Sequence, residues 1–578
     1  MILQKLKEYY DRKAADPKSG IAPLGWERKE IPYLIVLDRE GNLVAVEDTQ
    51  EKIGKSLQAR RFLVSQSVKR SGSVIRPQFL WDTVEYVTGI VCKDKSDIGR
   101  VGLMHKAFME RIRPFANVHA IGAVVRFLES DDMPSRLGTF DAWAEAQRAC
   151  AFVAFKFVGE EGTVFDDADV KAVVEREISA RMEGGEKAVD LVSGKRDVIA
   201  LTHPALKGIL GTNANTAGTN IVSFNFDAVK SFGKEQGENA PVGVRAAFAY
   251  TTALNTLLSK DSRQKMMVGD ATAVFWAGRD DSFETALASF FAEPPKDDPD
   301  RLVQNVAMLF KSPQTGNAAF SGDPTTFYVL GLSPNAARLS VRFWHVGTVA
   351  EMAERFRVYF DDLAIVHGPK DKDHLSLWRL LVSTAVQGKS ENVAPNLAGN
   401  VMRSILEGLP FPETLLQAVL MRIKAEHEVS YPHAKLIKGC LNRKWRFNNP
   451  QNERNLTVSL DTQNLNIGYR LGRLFAVLEK IQEAANPEIN ATIKDRFYAS
   501  ASSAPASVFG NLMRLSNHHL SKLRKEKPGY AINLEKLLQE VVAGLSAFPA
   551  HLSLDDQGQF AIGYYHQRQD LFTKKDAE

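Results

Sequence analysis

Residues 33–46 read YLIVLDREGNLVAV, and this stretch decides the fold class. Tyr33 to Leu37 is an unbroken apolar run, Asp38-Arg-Glu-Gly-Asn42 supplies turn chemistry, and Leu43 to Val46 runs back. Two apolar runs separated by about five turn-forming residues predict an antiparallel hairpin. A sheet therefore lies close to the start of the chain.

Working outward, Ile2, Leu3, Leu6, Tyr9 and Tyr10 fall on one face of a short helix over residues 1–11. Downstream, helical spacing runs over 102–127 and 167–182, residues 140–157 fit helix or strand equally, and 183–197 is a polar, glycine-containing loop. Residues 244–258 read as a buried helix, and 273–277, 327–332 and 338–344 as strands. Residues 293–300, rich in Pro and Asp, read as a linker. Beyond residue 349 helical periodicity takes over, interrupted at 410–412, 448–455, 486–487 and 528–530. The expected class is α+β, a mixed α/β region with antiparallel hairpins followed by a C-terminal helical bundle. The expected domains are 1–345, with a further break near 183–197, then a helical region over 346–450 and a helical bundle over 456–578.

The 578 residues are 44% hydrophobic and 25% charged, the profile of a soluble protein of several domains. Lys and Arg number 73 against 69 acids, so a polyanion-binding role needs the cations gathered into patches. No apolar run reaches the length of a membrane span, and the first residues lack a signal-peptide core. The expectation is a cytoplasmic protein with no membrane partner. Cys92, Cys150 and Cys440 lie far apart in the chain and show no zinc-ligand spacing, so no disulfide framework, metal or cofactor is expected.

Catalytic motifs fail on inspection. Gly388-Lys-Ser390 has Ser383, and Gly54-Lys-Ser56 has Thr49, where a phosphate-binding loop needs glycine. His427-Glu428 opens a zinc-protease pattern, but Tyr431 stands at the second histidine position. His518 and His519 are adjacent and diverge on a helix. A binding or assembly protein, not an enzyme, is the expectation.

Binding features are stronger. Lys52, Lys55, Arg60, Arg61, Lys69, Arg70 and Arg76 crowd into 25 residues, a phosphate-neutralising excess with Gln66, an amide able to read base edges, among them. Residues 208–225 read GILGTNANTAGTNIVSFN, where glycines permit close backbone approach and Asn213, Asn215 and Asn220 offer amides. Lys230, Lys234 and Gln236 follow. Two amphipathic basic segments, 465–481 and 508–527, place Arg470, Arg473, Arg514, Lys522 and Arg524 beside apolar stripes, and Lys494 and Arg496 lie between them.

Blocks along nearly the whole chain resemble the large subunit of the type I-C CRISPR Cascade, an RNA-guided surveillance complex. They include Val68-Lys-Arg-Ser71, Phe79-Leu-Trp-Asp82, Ile221-Val-Ser-Phe-Asn225, Gly233-Lys-Glu-Gln236, Leu332-Ser-Pro-Asn-Ala-Ala-Arg338, Gln387-Gly-Lys-Ser-Glu-Asn392 and Leu471-Gly-Arg-Leu-Phe-Ala-Val-Leu-Glu479. The resemblance implies a non-enzymatic subunit at the end of the complex that holds the 5′ handle of the CRISPR RNA. Such a subunit recognises the protospacer-adjacent motif in double-stranded DNA, helps form the R-loop and recruits the Cas helicase-nuclease. Its neighbours are the Cascade backbone, handle-capping and small subunits. Base pairing by the guide reads the remaining sequence.

On that reading Arg60, Arg61, Lys69, Arg70 and Arg76 are phosphate candidates, and Gln66, Asn213, Asn215, Asn220 and Gln236 are motif-reading candidates. Lys230 and Lys234 fit either role. The cations of the helical region are candidates for holding the displaced single strand. The resemblance further implies that the C-terminal part is also made separately by internal translation, with Val458, after the Asn-rich break, as the candidate start of a product of about 120 residues. Two other readings stay open, a metal-dependent nuclease with carboxylates distributed along the chain and a pure assembly scaffold.

Overall fold

The computed structural model describes residues 1–53, 56–68, 70, 74–92, 97–209, 218–224, 226–268, 271–284, 287, 291, 322–335, 338–394, 396–451 and 455–572. The chain forms two compact units, one of residues 1–207 with 217–256, the other of 208–216 with 257–578. The division expected at 345 follows the change from strand to helix and that at 450–456 an Asn-rich break between helices; the compact units part between Thr256 and Leu257.

The first unit begins with helix α1 (Ile2–Ala14). Strand β1 (Trp26–Glu30) precedes β2 (Tyr33–Leu37) and β3 (Leu43–Asp48), the hairpin that the opening stretch predicted. Its turn is held by Asp38, which accepts from the Asn42 amide nitrogen at 2.8 Å and its backbone N–H at 2.7 Å. The hairpin β4 (Gln50–Ile53) and β5 (Ser56–Ala59) leads into β6 (Arg61–Ser65), which pairs antiparallel with β1.

Strand β7 (Trp81–Thr83) runs into helix α2 (Val84–Thr88). Helices α3 (Ile98–Ile112) and α4 (His119–Leu128) replace the single helix expected over 102–127. The break falls on Arg113-Pro-Phe115, because Pro114 has no N–H to continue the ladder. Helix α5 (Asp141–Ala149) and strand β8 (Phe152–Phe157) divide the segment that fitted both classes.

The main sheet has the order β3-β2-β8-β7, with β2 and β8 parallel. All five β2 residues are buried, as a central strand covered on both faces requires, and each large apolar side chain contributes about 1.5–3 kcal/mol. Helix α6 (Ala168–Glu183) follows. The polar segment expected to be a loop carries a short hairpin, β9 (Lys187–Val189) with β10 (Arg196–Val198). Helix α7 (Val244–Leu257) carries the chain to the end of the unit at Thr256.

The second unit opens with an antiparallel meander, β11 (Lys265–Val268), β12 (Ala271–Ala277), β13 (Thr326–Asn335) and β14 (Arg338–Thr348). Helix α8 (Val349–Leu363) starts directly from β14, where Thr348 and Glu351 form a reciprocal capping box. A short helix over Leu377–Val382 precedes helices α9 (Leu397–Glu407), α10 (Glu413–Glu426), α11 (Tyr431–Asn448), α12 (Ile467–Ala485), α13 (Ile493–Ser503), α14 (Phe509–Glu526), α15 (Pro528–Ala543) and α16 (Leu554–Phe572).

One apolar core runs from Met266 to Tyr565, so the meander and all these helices share it. Helices α12 and α16 touch through glycine. A Cβ on Gly472 would stand 2.0 Å from the Phe560 carbonyl, and one on Gly563 2.0 Å from that of Tyr469. Among the described residues no helix is long and apolar enough to cross a membrane.

Candidate nucleic-acid interface

The basic segment is not uniformly available for binding. Arg61 faces Glu30 across the β1–β6 ladder at 3.1 Å. Arg60 is exposed, 3.8 Å from Glu47 and 5.3 Å from the Phe62 ring centroid. Arg70 turns inward. Its guanidinium ion-pairs with Asp82, donates to the Arg76 carbonyl at 2.7 Å and lies 4.0 Å from the Tyr86 ring centroid.

Asp82 is fully buried. Burial pushes its carboxyl up, while Arg70 and the N–H groups of Gln78 and Thr83 pull it down. Gln66 is half-buried, and its N–H donates to the Gly25 carbonyl at 2.8 Å. Arg76 is exposed beyond this network. Lys69 lies outside the described residues.

The Asn-rich stretch behaves differently. Asn213 and Asn215 lie outside the described residues. Asn220 donates to the carbonyls of His203 at 3.1 Å and Pro204 at 3.3 Å, so its side chain ties down the foot of the stretch. Leu206 and Thr219 bridge beside it.

Residues 226–240 form a polar platform cross-linked by side-chain hydrogen bonds. Asn239 accepts from the Ser231 N–H at 2.9 Å and donates to the carbonyls of Lys234 at 3.1 Å and Gln236 at 3.0 Å. Lys230 is held by Glu235 at 2.9 Å and Asp227 at 3.2 Å, which raise its pKa. Gly237 anchors the platform. Its N–H donates to the Leu201 carbonyl at 3.0 Å, and a Cβ there would meet the Ala200 carbonyl oxygen at 2.1 Å.

At the tip stands Phe232, 97% exposed and with a left-handed φ of 52°. A bulky residue in that region costs about 1–3 kcal/mol and persists only where its surroundings impose it. Gln236 shares the left-handed region at φ 42°, and Lys234 and Gln236 are both exposed. Sequence reading passed over Phe232. Its signal was an aromatic residue between Ser231 and Gly233 in a polar segment, with no apolar partner at helical or strand spacing.

The helical cations also divide. Arg473 is buried, donating to Gln567 at 2.9 Å and pairing with Glu540 at 2.9 Å. Arg470 donates to the Asn464 carbonyl at 2.7 Å and to that of Gly544. Arg524 pairs with Glu535. Arg496 on α13 is exposed and Lys494 half-buried.

On α14, Arg514, His518, Lys522 and Lys525 are exposed and recur at spacings of four, four and three, which places them on one face. Lys522 donates to Asn486 at 3.1 Å and Arg514 to Asn511 at 3.0 Å. Val458 is bonded through its carbonyl to the Val366 N–H at 2.8 Å. Gln387-Gly-Lys-Ser390 occupies two short 3₁₀ turns after a helix, unlike a strand–loop–helix phosphate cradle.

A sequence model of one protein family, described as CRISPR-associated protein (Cas_Csd1), matches residues 6–572. No curated protein matches the chain.

Proposed function

Because this chain belongs to the Cas_Csd1 family of CRISPR-associated proteins, the large subunits of type I-C Cascade, we propose that it is the subunit that recognises the protospacer-adjacent motif in duplex DNA. In this reading it works in the cytoplasm as a non-enzymatic component. It binds the CRISPR RNA end, the Cascade backbone, handle-capping and small subunits, and the target duplex. It then helps the R-loop form and recruits the Cas helicase-nuclease.

The observation that carries the reading is the platform over residues 226–240. It is braced by Asn239 and Lys230 and offers Phe232, Lys234 and Gln236 to solvent. An apolar side chain held outward at a fixed angle suits insertion between base steps, and an amide beside it suits a base edge. Arg60 and Arg76 add sequence-independent phosphate affinity. The exposed face of α14 suits the displaced single strand, with Arg496 on α13 a further candidate.

The separate C-terminal product proposed to start near Val458 has a structural consequence. In the whole chain a Cβ on Gly558 of α16 would stand 3.2 Å from Ile437, 3.3 Å from Leu441 and 3.5 Å from Leu416, so that face of α16 lies against α10 and α11. A product lacking α10 and α11 uncovers that apolar face and needs a partner for it.

The experiment is a gel shift of the purified complex, with and without this chain, on guide-matched duplexes differing only in the flanking trinucleotide. Discrimination that appears only with the chain present supports the reading. Unchanged discrimination without it assigns motif reading elsewhere and leaves this chain a scaffold or recruiter.

A further inference from the structure

Cys92 and Cys150, far apart in the chain, meet in the fold. Helix α2 ends at Gly89, whose left-handed φ of 73° turns the chain so that Cys92 comes back beside Glu85. The Cys92 N–H donates to Glu85 at 3.3 Å. Cys150 caps α5 in the left-handed region at φ 47°, a conformation that a non-glycine residue adopts only under constraint. Gln147 on the same helix donates to the Val91 carbonyl at 2.9 Å and locks the two segments together.

One carboxylate oxygen of Glu85 and the two sulfur atoms lie within 4.8 Å of one another, and all three residues are partly exposed. Among the described residues this is the one group of three or more metal-capable donors gathered so closely.

We propose that Glu85, Cys92 and Cys150 form a zinc site, with its fourth position open to water. Two sulfurs and one carboxylate oxygen suit a borderline-soft ion and do not suit Ca²⁺ or Mg²⁺, which take all-oxygen shells. Zinc–sulfur bonds of about 2.3 Å and zinc–oxygen bonds of about 2.0–2.2 Å need donors slightly closer together than the observed span, a contraction that side-chain rotation supplies.

The ion's absence and presence correspond to two protonation states. Without a cation the Cys92 thiol donates to the Ile90 carbonyl at 3.9 Å. Two thiolates beside a carboxylate gather three negative charges, which a divalent cation compensates. Binding therefore releases both thiol protons to solvent and weakens as pH falls.

The site clasps the turn after α2 to the end of α5. Those two segments flank β7, whose exit is fixed by the Val84 N–H donating to the Ala151 carbonyl at 3.0 Å. The ion thus braces the sheet edge from which Asp82 holds Arg70. This inference stands apart from the motif-recognition reading, and neither depends on the other.

The test uses the full chain, purified with reductant, stripped with EDTA and titrated with Co²⁺ and then Zn²⁺. The expected result is one ion per chain, a sulfur-to-cobalt charge-transfer band that zinc bleaches, and loss of that band in C92S and in C150S. E85Q should weaken zinc at least tenfold, while C440S, altering a buried thiol elsewhere, should keep the ion. Zinc should also protect two thiols from an aromatic disulfide reagent and raise the melting temperature of the wild type and C440S, but not of C92S or C150S. Circular dichroism checks that each variant folds. No ion retained at micromolar zinc, or binding unchanged in both cysteine variants, overturns the proposal. So does a Cys92–Cys150 disulfide found by mass spectrometry in chain that takes up no zinc after reduction.

Discussion

The Arg70 guanidinium reaches out of the basic segment to ion-pair with Asp82, a carboxylate that has no exposed surface. The pair ties the segment after β6 to strand β7, and the Tyr86 ring supports the cation from below. Removing one member of a buried pair strands the other. R70M should therefore cost about 3–5 kcal/mol. R76A, by contrast, should leave stability within about 0.5 kcal/mol and lower the salt slope of DNA binding by about one. Urea denaturation and salt-dependent gel shifts separate the two, and an R70M chain as stable as wild type would refute the assignment.

Phe232 should be dispensable for folding and needed for DNA. Glycine adopts φ 52° without the penalty that phenylalanine bears there. F232G should melt no lower than wild type and weaken binding of motif-bearing duplex by about tenfold or more, since one stacked base is worth about 1–3 kcal/mol. Fluorescence of 2-aminopurine beside the motif should show less duplex opening. Full opening with F232G would exclude Phe232 from the process.

The cations of the C-terminal helices should sort by burial. R473A leaves the buried Gln567 carbonyl on α16 without its donor and removes the ion pair to the half-exposed Glu540 on α15, and it should destabilise the second unit by about 2 kcal/mol. The double change R514A and K525A lies on the exposed face of α14. It should leave the melting temperature unchanged while lowering single-strand affinity and its salt slope, by about 0.7 per lost phosphate contact. Equal affinity in the double variant would remove α14 from the strand path.

Stability should rise with pH above neutrality because of two buried lysines on α11. Lys435 donates to the carbonyls of Leu363 at 3.2 Å and Asp373 at 2.7 Å, and Lys438 to those of Asp361 at 3.4 Å and Asp362 at 3.3 Å, capping the end of α8. Burial pulls the Lys435 ammonium down to about 7 and that of Lys438 to about 8. Unfolded lysines stay protonated to about 10.4, so between these values the unfolded chain holds more protons and folding gains as pH rises. Urea denaturation at pH 7 and pH 9 should show that gain, and K435M should show less of it. An identical pH dependence in K435M would contradict the assigned role of Lys435.

Much of the architecture follows from sequence alone. The hairpin at 33–46, the buried strand at 273–277 and the helical run after 349 were legible because alternation and helical spacing are local properties of the chain. The family resemblance was legible too, since blocks such as Gly233-Lys-Glu-Gln236 stand in order along the sequence. Only the tertiary structure decided which cations remain available. Arg70 and Arg76 look alike as letters, yet one is spent on a buried carboxylate and the other faces water, because an ion pair is set by what folding brings within a few ångströms. The same long-range closure brought Cys92 to Cys150 and placed the meander at 265–348 with the helices that follow it. It also left Phe232 exposed at the tip of a braced loop, where no local periodicity marks it.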